Sequence, residues 1–202
     1  KAFITSPEKL TDDATTGPEP TKPAAIARAN LADGSGSDFD FLPAHAKGIA
    51  ISGSHIYWAD PTTNAIGRAK IGATKGEEVE PAFITGANNP QYVAVSASGE
   101  FVYWTNAGDC QQETPQSKSD CEPGSGSIGR AKIGPSEAEG VDQEYVPGEV
   151  ETGPEEFEDF ATNPQGIAVD AEYLYWANAG AEDATRTIGR AKLGAVKGEG
   201  AN

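Results

Sequence analysis

Two histidines, two cysteines, a dense acidic run and a recurring Arg-x-Lys pair are the features of this chain that could carry chemistry. His45 lies in a loop that enters a short apolar strand, and His55 lies in the turn before another. Neither has a nucleophile or a base partner visible in the sequence, so acid–base catalysis has no second member to act with. Cys110 and Cys121 share one polar segment that has no other reason to be ordered. Their spacing reads as a disulfide that closes the inserted loop 107–127, which implies an oxidising compartment and an extracellular or cell-surface home. A two-thiolate metal site is the alternative, although no His lies nearby and the spacing matches zinc patterns poorly. The acidic run EVETGPEEFEDF at 149–160 lacks the alternating oxygen ligands and turn glycine of an EF-hand. It is expected to be an exposed, partly flexible loop.

Charge narrows the classes further. With 31 acidic and 15 basic residues the net charge is -16, which repels phosphate backbones and anionic lipid and excludes nucleic acid as a natural partner. Cations and basic proteins are attracted instead. No apolar run approaches the roughly 20 residues that cross a bilayer, so membrane insertion is not expected. The chain is rich in Gly and Pro, with 24 and 14 of them, which argues against long helices. It has no Met, and is expected to be a processed product or a segment of something longer.

The elements that hold these residues come from an internal repeat. KGIAISGSHIYWAD (47–60), QYVAVSASGEFVYWTN (91–106) and QGIAVDAEYLYWAN (165–178) are each an apolar strand, a turn, and a strand ending in Tyr-Trp and a short polar residue. NAIGRAKIG (64–72), GSIGRAKIG (126–134) and RTIGRAKLG (186–194) follow them, and AAIARANLADG (24–34) is a further copy without a Tyr-Trp partner. PAFITGANNP (81–90) completes the cycle. Labelled from the inside, strand A is GIAV, B is YLYW, C is IGRAK and D is AFIT. Four short β-branched and aromatic runs between Gly, Asn, Pro and Asp describe one antiparallel meander per repeat. A period of about 40 residues with four strands predicts an all-β fold of propeller blades, because one small sheet cannot bury both faces alone.

The Tyr-Trp-(Ala/Thr)-(Asp/Asn) strands, preceded by GIAV and followed by IGRAK, resemble the YWTD repeats of the low-density lipoprotein receptor family and the related bacterial NHL-like and SMP-30-like propellers. The resemblance covers most of residues 24–194 and implies a ring of six blades, of which this chain carries about three to four. It implies a non-catalytic domain that binds protein or glycan partners. The streptogramin lyases also resemble this chain in their IGR elements, and they place a catalytic His directly before the strand A Gly. Lys47, Gln91 and Gln165 stand there instead, so the match fails where the chemistry should be. A metal-dependent hydrolase or lyase of propeller fold is the enzymatic alternative, and a structural calcium in the central channel is the cofactor that SMP-30-like propellers would suggest.

Within the repeat, Trp58, Trp104 and Trp176 are expected to fill space between adjacent blades. Tyr57, Tyr103 and Tyr175 point to the opposite face by strand alternation. Asp60, Asn106 and Asn178 end strand B, where a short polar side chain can bond the turn backbone. Arg68, Arg130 and Arg190 share a face with Lys70, Lys132 and Lys192. They could line a cavity or channel, but their presence in every blade favours local ion pairs and stacking on blade aromatics.

The ends carry their own expectation. KAFIT at the start repeats the core of PAFIT, and GAVKGEGAN joined to KAFIT matches GATKGEEVEPAFIT (72–85) without a gap. The first strand is read as a strand D that completes the last blade of its own ring or of another copy, or else as the edge of a segment excised from a longer tandem array. Exchange of this kind would make the protein a structural subunit of oligomers or fibres. Residues 6–23 are polar and Pro-rich, cannot form strands A and B of the first blade, and look like a B–C loop. The whole of 1–202 is read as one propeller domain or segment. The loops B–C and D–A gather on one rim, so partners are expected at the face carrying the insertion 107–127.

Overall fold

A computed structural model describes residues 2–6, 24–33, 35–36, 38–73, 78–108, 125–147, 149–153, 156–159, 161–179 and 186–194. Within them the chain is all β, in sixteen strands. The first sheet holds β1 (Ala2–Ser6), β2 (Ala25–Ala29) and β3 (Asp38–Pro43). The second is the meander β4 (Ile49–Ser52), β5 (His55–Asp60), β6 (Ala65–Lys70) and β7 (Val79–Thr85). The third is β8 (Pro90–Val95), β9 (Phe101–Asn106), β10 (Ser127–Ile133) and β11 (Ala138–Val146). A hairpin of β12 (Glu149–Gly153) and β13 (Glu156–Asp159) leads to the last sheet, β14 (Pro164–Val169), β15 (Tyr173–Asn178) and β16 (Ile188–Lys192). These sheets are the blades of a partial β-propeller. The strands A of successive sheets meet, β4 with β8 and β8 with β14, while the outer strands diverge.

One position of each repeat fixes the register of strands B and C. Trp58, Trp104 and Trp176 lie opposite Gly67, Gly129 and Gly189. A Cβ on Gly67 would sit 2.1 Å from the Trp58 indole, and one on Gly129 the same distance from Trp104. No side chain is accommodated there, so the IGR triplet carries glycine wherever strand B carries Trp. The neighbouring Tyr faces Arg in each sheet, as Tyr57↔Arg68, Tyr103↔Arg130 and Tyr175↔Arg190.

Apolar clusters tie each sheet to the next. Trp58, Ile56 and Ala69 of the second sheet pack on Ile26, Phe41 and Leu42 of the first. On its other face Tyr57, Ile66 and Ile84 meet Val93, Val102 and Trp104 of the third. Tyr103, Ile128 and Tyr145 in turn meet Leu174, Trp176 and Ala191 of the fourth. Each Trp thus lies against the preceding sheet, and Tyr57 and Tyr103 against the following one, as the alternation of side chains along a strand requires.

Two segments differ from the sequence expectation. β1 is not an outer strand of the last blade; it pairs antiparallel with β2, as Phe3↔Arg28, Ile4↔Ala27 and Thr5↔Ile26. It therefore stands in the strand B place of the first sheet, with Phe3 where the other sheets have Tyr and Ile4 where they have Trp. Opposite Ile4 the IGR glycine is replaced by Ala27. Within 149–160, expected to be a loop, Glu149–Gly153 and Glu156–Asp159 pair as the antiparallel strands β12 and β13, with Val150↔Glu158 and Glu151↔Phe157 in register.

Candidate functional site

The strand C arginines are held by strand D and by the next sheet. Arg68 is buried; its guanidinium makes a bidentate ion pair with Glu80 at 2.8 and 2.9 Å and lies 4.0 Å over the Phe83 ring. It also donates to Gly134 O at 2.9 Å and Pro135 O at 3.3 Å, on the C–D turn of the third sheet. Arg28 repeats the arrangement with Asp38 at 3.4 Å, the Phe41 ring at 3.9 Å, and Ile71 O and Ala73 O at 3.2 and 3.4 Å. In a low-dielectric setting such planar, fork-like donors bind carboxylate and carbonyl groups together. The companion lysines point outward, Lys70 to Glu78 and Lys132 to Glu100.

The third junction departs from this plan. Arg130 stacks 4.0 Å over Tyr145 and 5.2 Å over Phe101. Among the described residues it has no carboxylate partner and reaches no carbonyl of the C–D turn at Leu193 and Gly194. Tyr145 Oη instead bonds the Gly194 amide at 3.2 Å. A cleft of about 430 Å³ opens here, lined by Ser96, Ser98, Phe101, Tyr103, Arg130 and Asp170. Such a volume falls in the range of small-ligand sites. Asp170 Oδ1 accepts the amides of Glu172 and Tyr173, which hold its carboxyl below the usual carboxylate range. Burial, with Tyr145 beside it, pushes the Tyr103 phenol up to about 12, against the opposing pull of Arg130. Glu100 lines it as well, so the cleft offers one cation, two carboxylates, two serine hydroxyls and an aromatic wall.

The other chemistry-bearing residues are placed elsewhere. Lys47 and Gln91, at the start of neighbouring strands A, are joined by a bond from Lys47 Nζ to Gln91 Oε1 of 2.5 Å. Gln91 and Gln165 each donate back to Asn89 and Asn163, which have φ of 52° and 45°. The places where the lyases carry His are thus held by Lys47, bonded to Gln91, and by Gln91 and Gln165, each bonded to its own Asn. His55 is bonded to Ser54 Oγ, and burial, then Arg68, lower its pKa. His45 is exposed. Among the described residues no group of three or more His, Cys, Asp and Glu is arranged to hold a metal. Cys110 and Cys121 lie outside the described residues.

Strand B ends diverge in detail. Asp60 Oδ1 accepts the amides of Thr62 and Thr63 and closes a turn. Asn106 reaches farther, accepting from Asn88 N and donating to Ser127 Oγ and Gln143 O. Asn178 Nδ2 donates to Thr187 Oγ1. Trp104 Nε1 donates to Gln143 Oε1 at 3.1 Å, whereas the buried Trp58 Nε1 has no acceptor among the described residues, Pro81 standing at the place of Gln143. The cleft itself was missed in sequence. Its one signal was that the strand C arginine of the third blade is the same as its neighbours while the turn it should reach differs, KLGA in place of KIGA or KIGP.

No protein-family model and no curated protein matches the chain. Among solved structures it is similar to a chain in a crystal structure of a nidogen/laminin complex, at a TM-score of 0.46 and 15% identity, over 84% of this chain and 68% of that one.

Proposed function

We propose that this chain is a non-catalytic binding scaffold of the YWTD propeller type whose partner is a protein or glycan seated in part at the cleft between the third and fourth sheets. The observation that carries this reading is Arg130. Its counterparts Arg28 and Arg68 are each engaged by a carboxylate and by the next sheet, whereas Arg130 faces an open, aromatic-walled cleft without either. A cation that is hydrogen-bonded to Tyr103 and stacked on Tyr145 but has no carboxylate partner among the described residues suits a carboxylate-bearing side chain or an acidic sugar. The cleft lies at the A–B turn end of the sheets, opposite the end from which the 107–127 insertion leaves β9, so it is a second surface beside that loop face. An extracellular or cell-surface setting is part of the proposal and stands on the Cys110–Cys121 pairing.

The test is a screen of immobilised glycans and extracellular proteins with the wild-type chain, followed by Phe101→Ala and Arg130→Gln, each checked by circular dichroism. The expected result is at least one ligand whose binding falls tenfold or more in both variants while their folded spectra match the wild type. Ligands that bind both variants unchanged would remove the cleft from the proposal, and turnover of a bound ligand would end its non-catalytic part.

A further inference from the structure

We infer that the cleft between the third and fourth sheets selects a hexuronic acid residue of a glycan, a pyranose with one carboxylate and several hydroxyls, over the carboxylate side chain of a peptide. This rests on the reading that the cleft is a binding site and names what enters it. The A–B turn and strand B of the third sheet bring Ser96, Ser98, Glu100, Phe101 and Tyr103 to it, strand C brings Arg130, and the A–B turn of the fourth sheet brings Asp170. Two polar members are more than nine-tenths buried, Tyr103 at 2% exposure and Ser96 at 9%. Arg130 stacks 4.0 Å over Tyr145 and lies 5.2 Å from the Phe101 ring. Stacking occupies the faces of a guanidinium and leaves its N–H edge for a carboxylate.

Charge decides the class of ligand. Among the described residues that line the cleft, Arg130 is the one cation, set against the carboxylates of Glu100 and Asp170. A group that offers only negative charge, such as an Asp or Glu side chain or a sulfate ester, gains at Arg130 and is repelled by both carboxylates. A uronic acid brings one carboxylate for Arg130 and hydroxyl protons for the two acids to accept. The acceptors are in place. Asp170 Oδ1 is committed to the amides of Glu172 and Tyr173, whereas Oδ2 takes Tyr175 Oη at 3.1 Å and keeps a second lone pair. Glu100 is half-exposed, and its ion-pair contact, Lys132, stands 3.9 Å away. Donors are present too. Ser96 Oγ and Ser98 Oγ lie 3.1 Å apart and share one hydrogen bond, which leaves one of their two protons for a ligand oxygen. Tyr103 Oη accepts from Arg130 and so turns its own proton outward. Phe101 is the apolar wall against which the C–H face of a pyranose can lie, and about 430 Å³ is room for one ring at the lower end of the small-ligand range.

The probes are methyl β-D-glucuronide, methyl β-D-glucoside and N-acetylglutamate N-methylamide, each titrated into the 202-residue chain with amide NMR shifts as the readout. The glucuronide is expected to move amides of 96–103 and 170–173 and to bind about tenfold or more tighter than the other two, the factor that one charged hydrogen-bonded pair supplies. Arg130→Gln should weaken it by a similar factor. Glu100→Gln separates the classes by sign. Loss of a charged acceptor should weaken the glucuronide by about threefold or more, whereas relief of repulsion should strengthen the acetylglutamate. Acetylglutamate binding as tight as that of the glucuronide, glucoside binding equal to it, or glucuronide binding that tightens in Glu100→Gln would overturn the sugar assignment while leaving the cleft as a binding site. Absence of shifts at 96–103 with all three probes would overturn it as well. The wider reading would then stand or fall on the immobilised-partner screen, where a ligand weakened by Arg130→Gln keeps it.

Discussion

At the residue scale the repeat is held by pairs whose members only make sense together. Trp58 needs Gly67 because a Cβ would stand 2.1 Å from its indole, and the first sheet shows the alternative solution, with Ile4 and Ala27 in register at the same place. Gly67→Ala alone should destabilise by about 1–3 kcal/mol through overpacking, and Trp58→Ile alone by about 2–4 kcal/mol through the cavity it leaves. The double variant is expected to recover at least about 1 kcal/mol of the summed loss in urea denaturation, the coupling that contacting residues show. Strict additivity would mean that the collision is relieved by backbone movement instead. Tyr103 sets a pH limit of a different kind. Its folded pKa of about 12 lies above the value of 10.0 for a free phenol, so the stability it contributes is fully present below pH 10.0 and is lost as the pH rises through about 12. Tyr103→Phe should flatten the alkaline decline of the melting temperature and delete the late phase of tyrosinate absorbance. A decline of unchanged steepness would assign it to other tyrosines.

At the element scale the meander was legible because strand identity is written redundantly, by alternation, turn residues and repetition. Trp58, Trp104 and Trp176 appear at one register position, and the structure buries all three. Two elements were not legible, for separate reasons. KAFIT matches PAFIT in sequence, but Phe-Ile-Thr suits any half-buried strand, and pairing is decided by the opposite strand, where Ala27 replaces glycine and leaves room for a residue smaller than Trp. The run 149–160 reads as a loop because carboxylates disfavour strands, while hairpin register depends on cross-strand pairs such as Glu151↔Phe157 that composition does not reveal. The cleft was invisible because it arises from a contact that the third junction lacks, and sequence repetition reports contacts that recur. The placement of β1 is testable by removing residues 1–6. Hydrogen-exchange protection over 25–29 should then collapse, because β2 loses one ladder and the Phe3–Phe41 contact with it, while Trp104 keeps its emission maximum. Unchanged protection at 25–29 would show that β1 pairs elsewhere in solution.

At the scale of the whole molecule, each sheet is stabilised by its own ladders and by its immediate neighbours, so the arc should behave as a short one-dimensional array. The second and third sheets have four strands and a neighbour on either face, whereas the first and fourth have three strands among the described residues and one such neighbour. Local opening should therefore be graded along the chain instead of occurring at one free energy. Amides of β5, β6, β9 and β10 are expected to exchange slowest, near the global limit, and those of β16 fastest among the strands of the four sheets, since no described strand pairs its outer edge and Ile188 is exposed. The three tryptophans give an independent reading, because Trp58 and Trp104 sit at the first two junctions and Trp176 at the third. In variants that keep one Trp each, the emission of Trp176 should shift to longer wavelength at lower urea than that of Trp104, and Trp104 should report the latest transition. If all three report one midpoint and the exchange free energies of β16 and β9 coincide, the blades fold as a single cooperative unit. The fourth sheet would then be held as firmly as the centre, its ladders sharing the stability of the neighbours that β9 and β10 have on either face.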